Sequence, residues 1–154
     1  MKISEIMTKA AVTDSADDTI AEACEKMRHA QTSSILVMDG ERLLGIFTER
    51  DVVKIIARGL EPKETRLKDV MTTDLVTIGP FTTLKEAANI MATKWIRHLP
   101  ILEGSKVVGM ISQRDLTGVL AAALHEPEAL HNLVEASALT RERRLKRLEA
   151  GDYD

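Results

Sequence analysis

Apolar residues recur along this chain in short runs whose spacing changes in a fixed order. Ile3, Ile6 and Met7 mark a brief helical turn, and residues 11–13 read as a short extended segment. Ile20, Ala23, Cys24 and Met27 then fall at helical spacing. Thr19 stands just before them with Glu22 three residues on, the form of a capping box in which each side chain satisfies a free backbone N–H of the other. Residues 34–38 and 43–48 are apolar runs of strand length. Asp39-Gly40 between them is a hairpin signal. A closing helix is expected from about Glu49 to Arg58, stopping at Gly59, and residues 60–66, which include Pro62, read as a linker.

The pattern then starts again. Displaced by 64 positions, residues 3–51 align with 67–115 without a gap, and twelve pairs are identical. Met7-Thr8 coincide with Met71-Thr72, Val12-Thr13 with Val76-Thr77, Thr19 with Thr83, and Glu22-Ala23 with Glu86-Ala87. Met27 meets Met91, Gly40 meets Gly104, Gly45 meets Gly109, and Arg50-Asp51 meet Arg114-Asp115. Similar residues fill other positions, such as Ile35 with Leu99, Val37 with Ile101, and Thr48 with Ser112. Each unit is expected to run β-α-β-β-α in an α+β fold. One repeat spans residues 1–62 and a second spans 63–125, with a helical extension over 126–154.

Composition narrows the possibilities. A chain of 154 residues with 44% hydrophobic content can bury one sizeable core or two small ones that share an interface. Aromatics make up only 3%, so the core must come from Ile, Leu, Val, Met and Ala, and stacking platforms for single-stranded nucleic acid are lacking. A net charge of -3 gives no overall attraction to nucleic acid or an anionic membrane. Cys24 has no partner for an internal disulfide and reads as a core residue in a reducing compartment. The first residues lack an apolar stretch long enough for a signal peptide and no segment approaches a membrane span, so a cytoplasmic location is expected. His29, His98, His125 and His131 are scattered, and there is no metal-spaced cluster, nucleophile motif or Walker loop. No catalysis and no required cofactor are expected.

The duplicated segments resemble the CBS-domain family, in its two-repeat arrangement known as a Bateman module. The resemblance covers residues 3 to about 124 and rests on Ile6-Met7-Thr8, Val70-Met71-Thr72 and the run from Arg97 through His98, Leu99 and Pro100 to Ile101. It rests equally on the two runs 45–51 and 109–115, each opening on Gly and closing on Arg-Asp. It implies two repeats packed about a pseudo-twofold axis, with two clefts that each can hold an adenosine-type ligand, and pairing into a homodimer. AMP, ADP, ATP and NAD are the expected ligands, and S-adenosylmethionine or a cyclic dinucleotide presents the same adenosine.

Candidate site residues follow from the resemblance residue by residue. Thr48 with Asp51, and Ser112 with Asp115, place a hydroxyl three residues ahead of a carboxylate at a helix start. As a local feature this is a helix cap. The family implies in addition that the carboxylate accepts from the ribose hydroxyls, while the hydroxyl and the helix N-terminus face phosphate. The pair preceding the second strand, Ser33-Ser34 in one repeat and Arg97-His98 in the other, is implied to lie towards the phosphates. Arg97 as a bidentate phosphate partner and His98 as a ring-nitrogen donor make the second-repeat site, which also has Arg114 as a candidate, the preferred one. Thr13 and Thr77 fall where the family contacts base or ribose, although strand propensity alone also accounts for them. Pro100 stands where the first repeat has Leu36, which leaves the edge of the first cleft less defined. Trp95 faces the cleft or a partner, or serves as ordinary packing.

Two functions compete at this level. One is a regulatory nucleotide sensor that acts through an effector protein and does no chemistry. The other is a ligand-independent dimerisation or scaffold module in which the Thr/Ser-x-x-Asp pairs serve only as caps. Beyond residue 124, Pro127 opens a helical pattern through Leu130, Leu133, Val134 and Ala138, followed by a basic run from Arg141 to Arg147 that reads first as a solvated face.

Overall fold

A computed structural model describes residues 1–9 and 11–123 together with positions 142, 146 and 149. The expected helical extension therefore lies, apart from those three positions, outside the described residues. The first repeat contains β1 (Thr13–Ser15), α1 (Ile20–Ala30), β2 (Ser34–Asp39), β3 (Arg42–Thr48) and α2 (Glu49–Ala57). The second contains α3 (Leu84–Lys94), β4 (His98–Glu103), β5 (Lys106–Ser112) and α4 (Gln113–Ala123). Both capping boxes form as the spacing predicts. The Thr19 N–H donates to Glu22 Oε2 at 2.8 Å and the Thr83 N–H to Glu86 Oε2 at 2.8 Å, and the N3 amides return bonds of 3.3 and 3.2 Å to the threonine hydroxyls.

The hairpins differ slightly from expectation. Asp39 pairs with Arg42 and Glu103 with Lys106, so the two-residue loops are Gly40-Glu41 and Gly104-Ser105, one position later than Asp39-Gly40. Glycine thereby occupies the first central position, where φ is +58° and +62°. That backbone suits a hairpin turn and disfavours a side chain.

The repeats also diverge at their first strand. In the first, β1 runs parallel to β2 in a three-stranded sheet, and the Leu36 N–H donates to the Val12 carbonyl at 2.9 Å. In the second, Pro100 stands at the position of Leu36 and has no N–H to donate. The expected strand at Val76-Thr77 is reduced to a single bridge of Ile78 with Ile101, which leaves β4 and β5 as a two-stranded sheet.

Two cores result, and each borrows a segment from the other repeat. Ile20, Ala23, Met27, Ile35, Val37, Phe47 and Ile55 pack around Leu67, which belongs by sequence to the second unit. Ile78, Ala87, Met91, Leu99, Ile101 and Ile111 pack around Ile3 from the first unit. Both visitors sit on 3-10 turns, Ile3–Glu5 and Leu67–Asp69, and both are fully buried. Backbone bonds fix the exchange symmetrically. The Ile3 N–H donates to Thr82 O and the Leu67 N–H to Asp18 O, each at 2.9 Å. Burying an Ile or Leu of this kind contributes on the order of 2–3 kcal/mol, so each core depends on the neighbour's leading segment.

After its buried turn, each segment crosses the other repeat's last strand. Thr8 and Met110 exchange N–H···O bonds of 3.0 Å, and Thr72 and Ile46 do so at 3.0 and 2.9 Å. The crossing explains three of the identities in the repeat. A Cβ on Gly109 would lie 2.9 Å from the Thr8 carbonyl oxygen and 3.0 Å from the Met7 sulfur. A Cβ on Gly45 would lie 2.9 Å from the Thr72 oxygen and 2.6 Å from the Met71 sulfur. Glycine on the strand and Met-Thr on the crossing segment are one packing solution, used twice.

Candidate functional site

The start of each closing helix is held in the same way in both repeats. The Glu49 N–H donates to Ser33 O at 3.1 Å and the Gln113 N–H to Arg97 O at 2.8 Å, so the pair preceding β2 or β4 is tied to the first turn of α2 or α4. At that turn, Asp51 Oδ2 accepts from the Thr48 N–H at 2.9 Å and from its hydroxyl at 3.0 Å. Asp115 Oδ2 accepts from the Ser112 N–H and hydroxyl, both at 2.7 Å. The cap expected from the spacing is present, and it uses one carboxylate oxygen. Among the described residues nothing bonds to the other oxygen, Oδ1, of either aspartate. Asp51 is buried and Asp115 half-buried.

Each aspartate lines a cleft between the repeats. The Asp115 cleft, about 530 Å³, takes Ser112, Arg114 and Met110 from the second repeat and Thr8, Ala11, Val12 and Gln31 to Ser34 from the first. The Asp51 cleft, about 260 Å³, takes Ile46, Thr48, Arg50 and Lys54 from the first repeat and Thr72 and Lys94 to His98 from the second. The two are pseudo-twofold equivalents: Thr8 corresponds to Thr72, Gln31 to Trp95, Met110 to Ile46. Each carboxylate thus faces the crossing segment and the helix end of the opposite repeat.

This regroups the candidate residues. Ser33 and Ser34 line the Asp115 cleft with Ser112 and Arg114 and not the Asp51 cleft, while Arg97 and His98 line both clefts. Thr48 and Asp51 stand together in the smaller cleft. Thr13 is exposed and its carbonyl accepts from Lys26 Nζ at 3.1 Å. It lies outside the lining of either cleft, as do exposed Thr77 and fully buried Pro100. Thr8, Thr72, Gln31, Lys54 and Lys94 are lining residues that the sequence reading missed. The identical Met-Thr pairs were the available signal for the first two.

His98 joins the repeats. Its Nε2 lies 2.8 Å from Ser33 Oγ, across the pseudo-twofold axis. Burial first, and then Arg97 with smaller effects of Arg114 and Arg50, lower the ring's pKa to about 4 against the opposing charge of Asp115. At neutral pH His98 is therefore an uncharged ring with one N–H to donate, and the cationic groups at the clefts are the arginines and lysines. Cys24 packs against the first core, and its thiol is pushed up by burial, as suits an unreactive position.

Gln31 and Trp95, at equivalent helix ends, both adopt the left-handed conformation, with φ of 51° and 58°. For a side chain as bulky as tryptophan this is a costly backbone state that persists where surrounding contacts enforce it. The Arg50 guanidinium donates to the Trp95 carbonyl at 3.1 Å, which ties the first repeat's helix to that end of α3.

A tandem duplication with exchanged leading segments and two symmetry-related clefts defines a class of paired modules. The family model for the CBS domain matches twice, over residues 3–58 and 67–122, and the chain belongs to the CBS-domain family. It is 37% identical over 116 residues to the mitochondrial CBS domain-containing protein CBSX3 of Arabidopsis thaliana, an alignment covering 71% of this chain and 55% of that one. The CBS-domain containing protein ATU1752 from Agrobacterium tumefaciens has a similar structure, with a TM-score of 0.73, 27% identity, and coverage of 77% of this chain and 98% of the other. The CBS domain pair of protein MJ0100, solved with 5-methylthioadenosine and S-adenosyl-L-methionine, has a TM-score of 0.74 at 20% identity, covering 79% and 97%; at that identity the likeness concerns the fold. Several curated relatives are longer, and the chain spans 23% to 67% of their length. No helix among the described residues is long and apolar enough to cross a membrane.

Proposed function

We propose that this chain is a regulatory module that binds adenosine-containing ligands in the clefts between its repeats and passes their occupancy to an effector protein, without catalysis. The carrying observation is the divided use of each aspartate. Oδ2 of Asp51 and Asp115 is engaged by the helix cap, and Oδ1 is left at a cleft wall with no partner among the described residues. A carboxylate oxygen held by its own helix start is a preorganised acceptor for a vicinal diol, the arrangement by which acidic residues read ribose in other nucleotide-binding folds. The ligands of the MJ0100 pair carry such a ribose.

Signalling follows from the exchanged segments. Thr8 and Thr72 line the clefts and also carry the backbone bonds that brace one repeat on the other. A ligand there bears on the inter-repeat geometry, and it biases that geometry by its differential affinity for the two arrangements. Exposed apolar residues of α2, Val53 and Ile56, and Leu120 of α4 support pairing with a second copy.

A thermal-shift panel of AMP, ADP, ATP, NAD, S-adenosylmethionine and guanine nucleotides tests the reading, because a ligand specific for the folded state raises the melting temperature. An adenosine ligand should raise it, and Asp51→Asn with Asp115→Asn should remove the rise. No rise with any of them at millimolar concentration favours the scaffold function.

A further inference from the structure

The two clefts are equivalent in fold and unlike in charge. Around Asp115 the charged lining residues are Arg97, Arg114, Glu49 and Asp115 itself, and their charges cancel while His98 is neutral. Around Asp51 they are Arg50, Lys54, Lys94, Arg97 and Asp51, an excess of three positive charges in a cleft of half the volume. The difference arises where the duplicated copies diverge. Lys94 corresponds to Ala30, Lys54 to Gly118, and Glu49 to uncharged Gln113. Arg97, whose counterpart is Ser33, serves both sides.

Resting on the adenosine-ligand reading above, we infer that the clefts divide their ligands by charge: the Asp51 cleft takes a nucleoside polyphosphate, such as ADP or ATP, and the Asp115 cleft takes an adenosine ligand without a polyphosphate tail. The small Asp51 cleft holds the nucleoside against Asp51 and Thr48, and the phosphates extend to its mouth between Lys54 of α2 and Lys94 at the end of α3. Four cations, two from α2, one from the end of α3 and one from the loop before β4, offset a charge that a neutral site would leave unpaired. In the Asp115 cleft, Glu49 faces the same region and disfavours a second or third phosphate by like-charge repulsion. This reverses the preference that Arg97 and His98 suggest in the sequence, because the first is shared and the second carries no charge.

Trp95, the chain's one tryptophan, lines the Asp51 cleft and reports on its occupancy. Titrations followed by its fluorescence, with calorimetry in parallel, use ATP and adenosine as probes on the wild type, on Lys54→Gln/Lys94→Gln and on Asp115→Asn. ATP should change Trp95 emission and bind more tightly than adenosine at this cleft, with an affinity that falls as salt rises. The double lysine variant should lose the ATP-over-adenosine preference by about tenfold, while Asp115→Asn keeps it. The inference is overturned if ATP binding leaves Trp95 emission unchanged and disappears in Asp115→Asn, or if the lysine variant keeps the full preference. Calorimetry that detects no adenosine ligand at either cleft overturns the underlying reading as well, so the two failures are distinguishable.

Discussion

Gly45→Ala places a methyl group at the crossing where one repeat's leading segment runs over the other's last strand. The new carbon lies 2.6 Å from the Met71 sulfur and 2.9 Å from the Thr72 carbonyl oxygen. The thioether can swing aside. The carbonyl cannot, because it accepts the Ile46 N–H while Thr72 donates back to Ile46, at 3.0 and 2.9 Å. Overpacking at such a point costs about 1–3 kcal/mol, and weakening the paired backbone bonds adds about 1 kcal/mol. The sum, about 2–4 kcal/mol, corresponds to a fall of about 6–12 °C in Tm for a chain of this size. Gly118→Ala is the opposing control, since its Cβ would meet nothing within 4 Å on helix α4. It should stabilise by about 0.5–1 kcal/mol through helix propensity. Differential scanning calorimetry of the two variants decides the matter. A Gly45→Ala protein as stable as wild type, or one harmed less than Gly118→Ala, would refute the crossing as described.

Other perturbations test other parts of the account. Ile3→Ala should cost about 2–4 kcal/mol, and hydrogen exchange should quicken more at Leu99, Ile101 and Ile111 than at Ile35 and Val37, because Ile3 sits in the second core. Thr83→Ala removes a helix cap and should lower stability in denaturant titration by about 1 kcal/mol. His98 titrates near 4 in the folded chain and near 6.5 when unfolded, so the unfolded state binds the extra proton and the stability present above pH 6.5 is lost as pH falls towards 4. After allowance for the ring's partial exposure this amounts to about 1–2 kcal/mol, and His98→Gln should flatten that part of the stability-pH curve relative to wild type.

What could be read from the sequence was local or duplicated. The capping boxes at Thr19 and Thr83 need only a threonine and a glutamate three apart, and they form at those residues. The Leu36/Pro100 difference was visible but pointed to the first cleft's edge, whereas the structure puts its effect in the second repeat, where the proline's missing donor leaves the first strand as one bridge. The exchange of Ile3 and Leu67 was hidden, because aligning the copies pairs those residues without saying which core each enters. The clefts divide the same way. Asp51 and Asp115 were visible through their helix-start spacing, whereas Lys54 and Lys94 lie 40 positions apart and look like solvated helix charges until α2 and α3 are brought together. His98 looked like a phosphate donor through either ring nitrogen, and only its burial beside Arg97 shows that the ring stays neutral well below pH 6.5.

The central claim is that Asp51 and Asp115 read a ribose with the oxygen their helix caps leave free. Calorimetric titration of ATP, AMP and S-adenosylmethionine against their 2′-deoxy counterparts tests it most directly, on the wild type and on Asp51→Asn/Asp115→Asn. In the variant, the amide oxygen can still accept from Thr48 or Ser112 and preserve the cap, while an NH2 group replaces the free acceptor. The account predicts binding of a ribose ligand, a loss of about tenfold or more on removal of the 2′-hydroxyl, and comparable loss in a double variant that melts near the wild-type temperature. Equal affinity for ribose and deoxyribose ligands, or undiminished binding by the folded double variant, would contradict it.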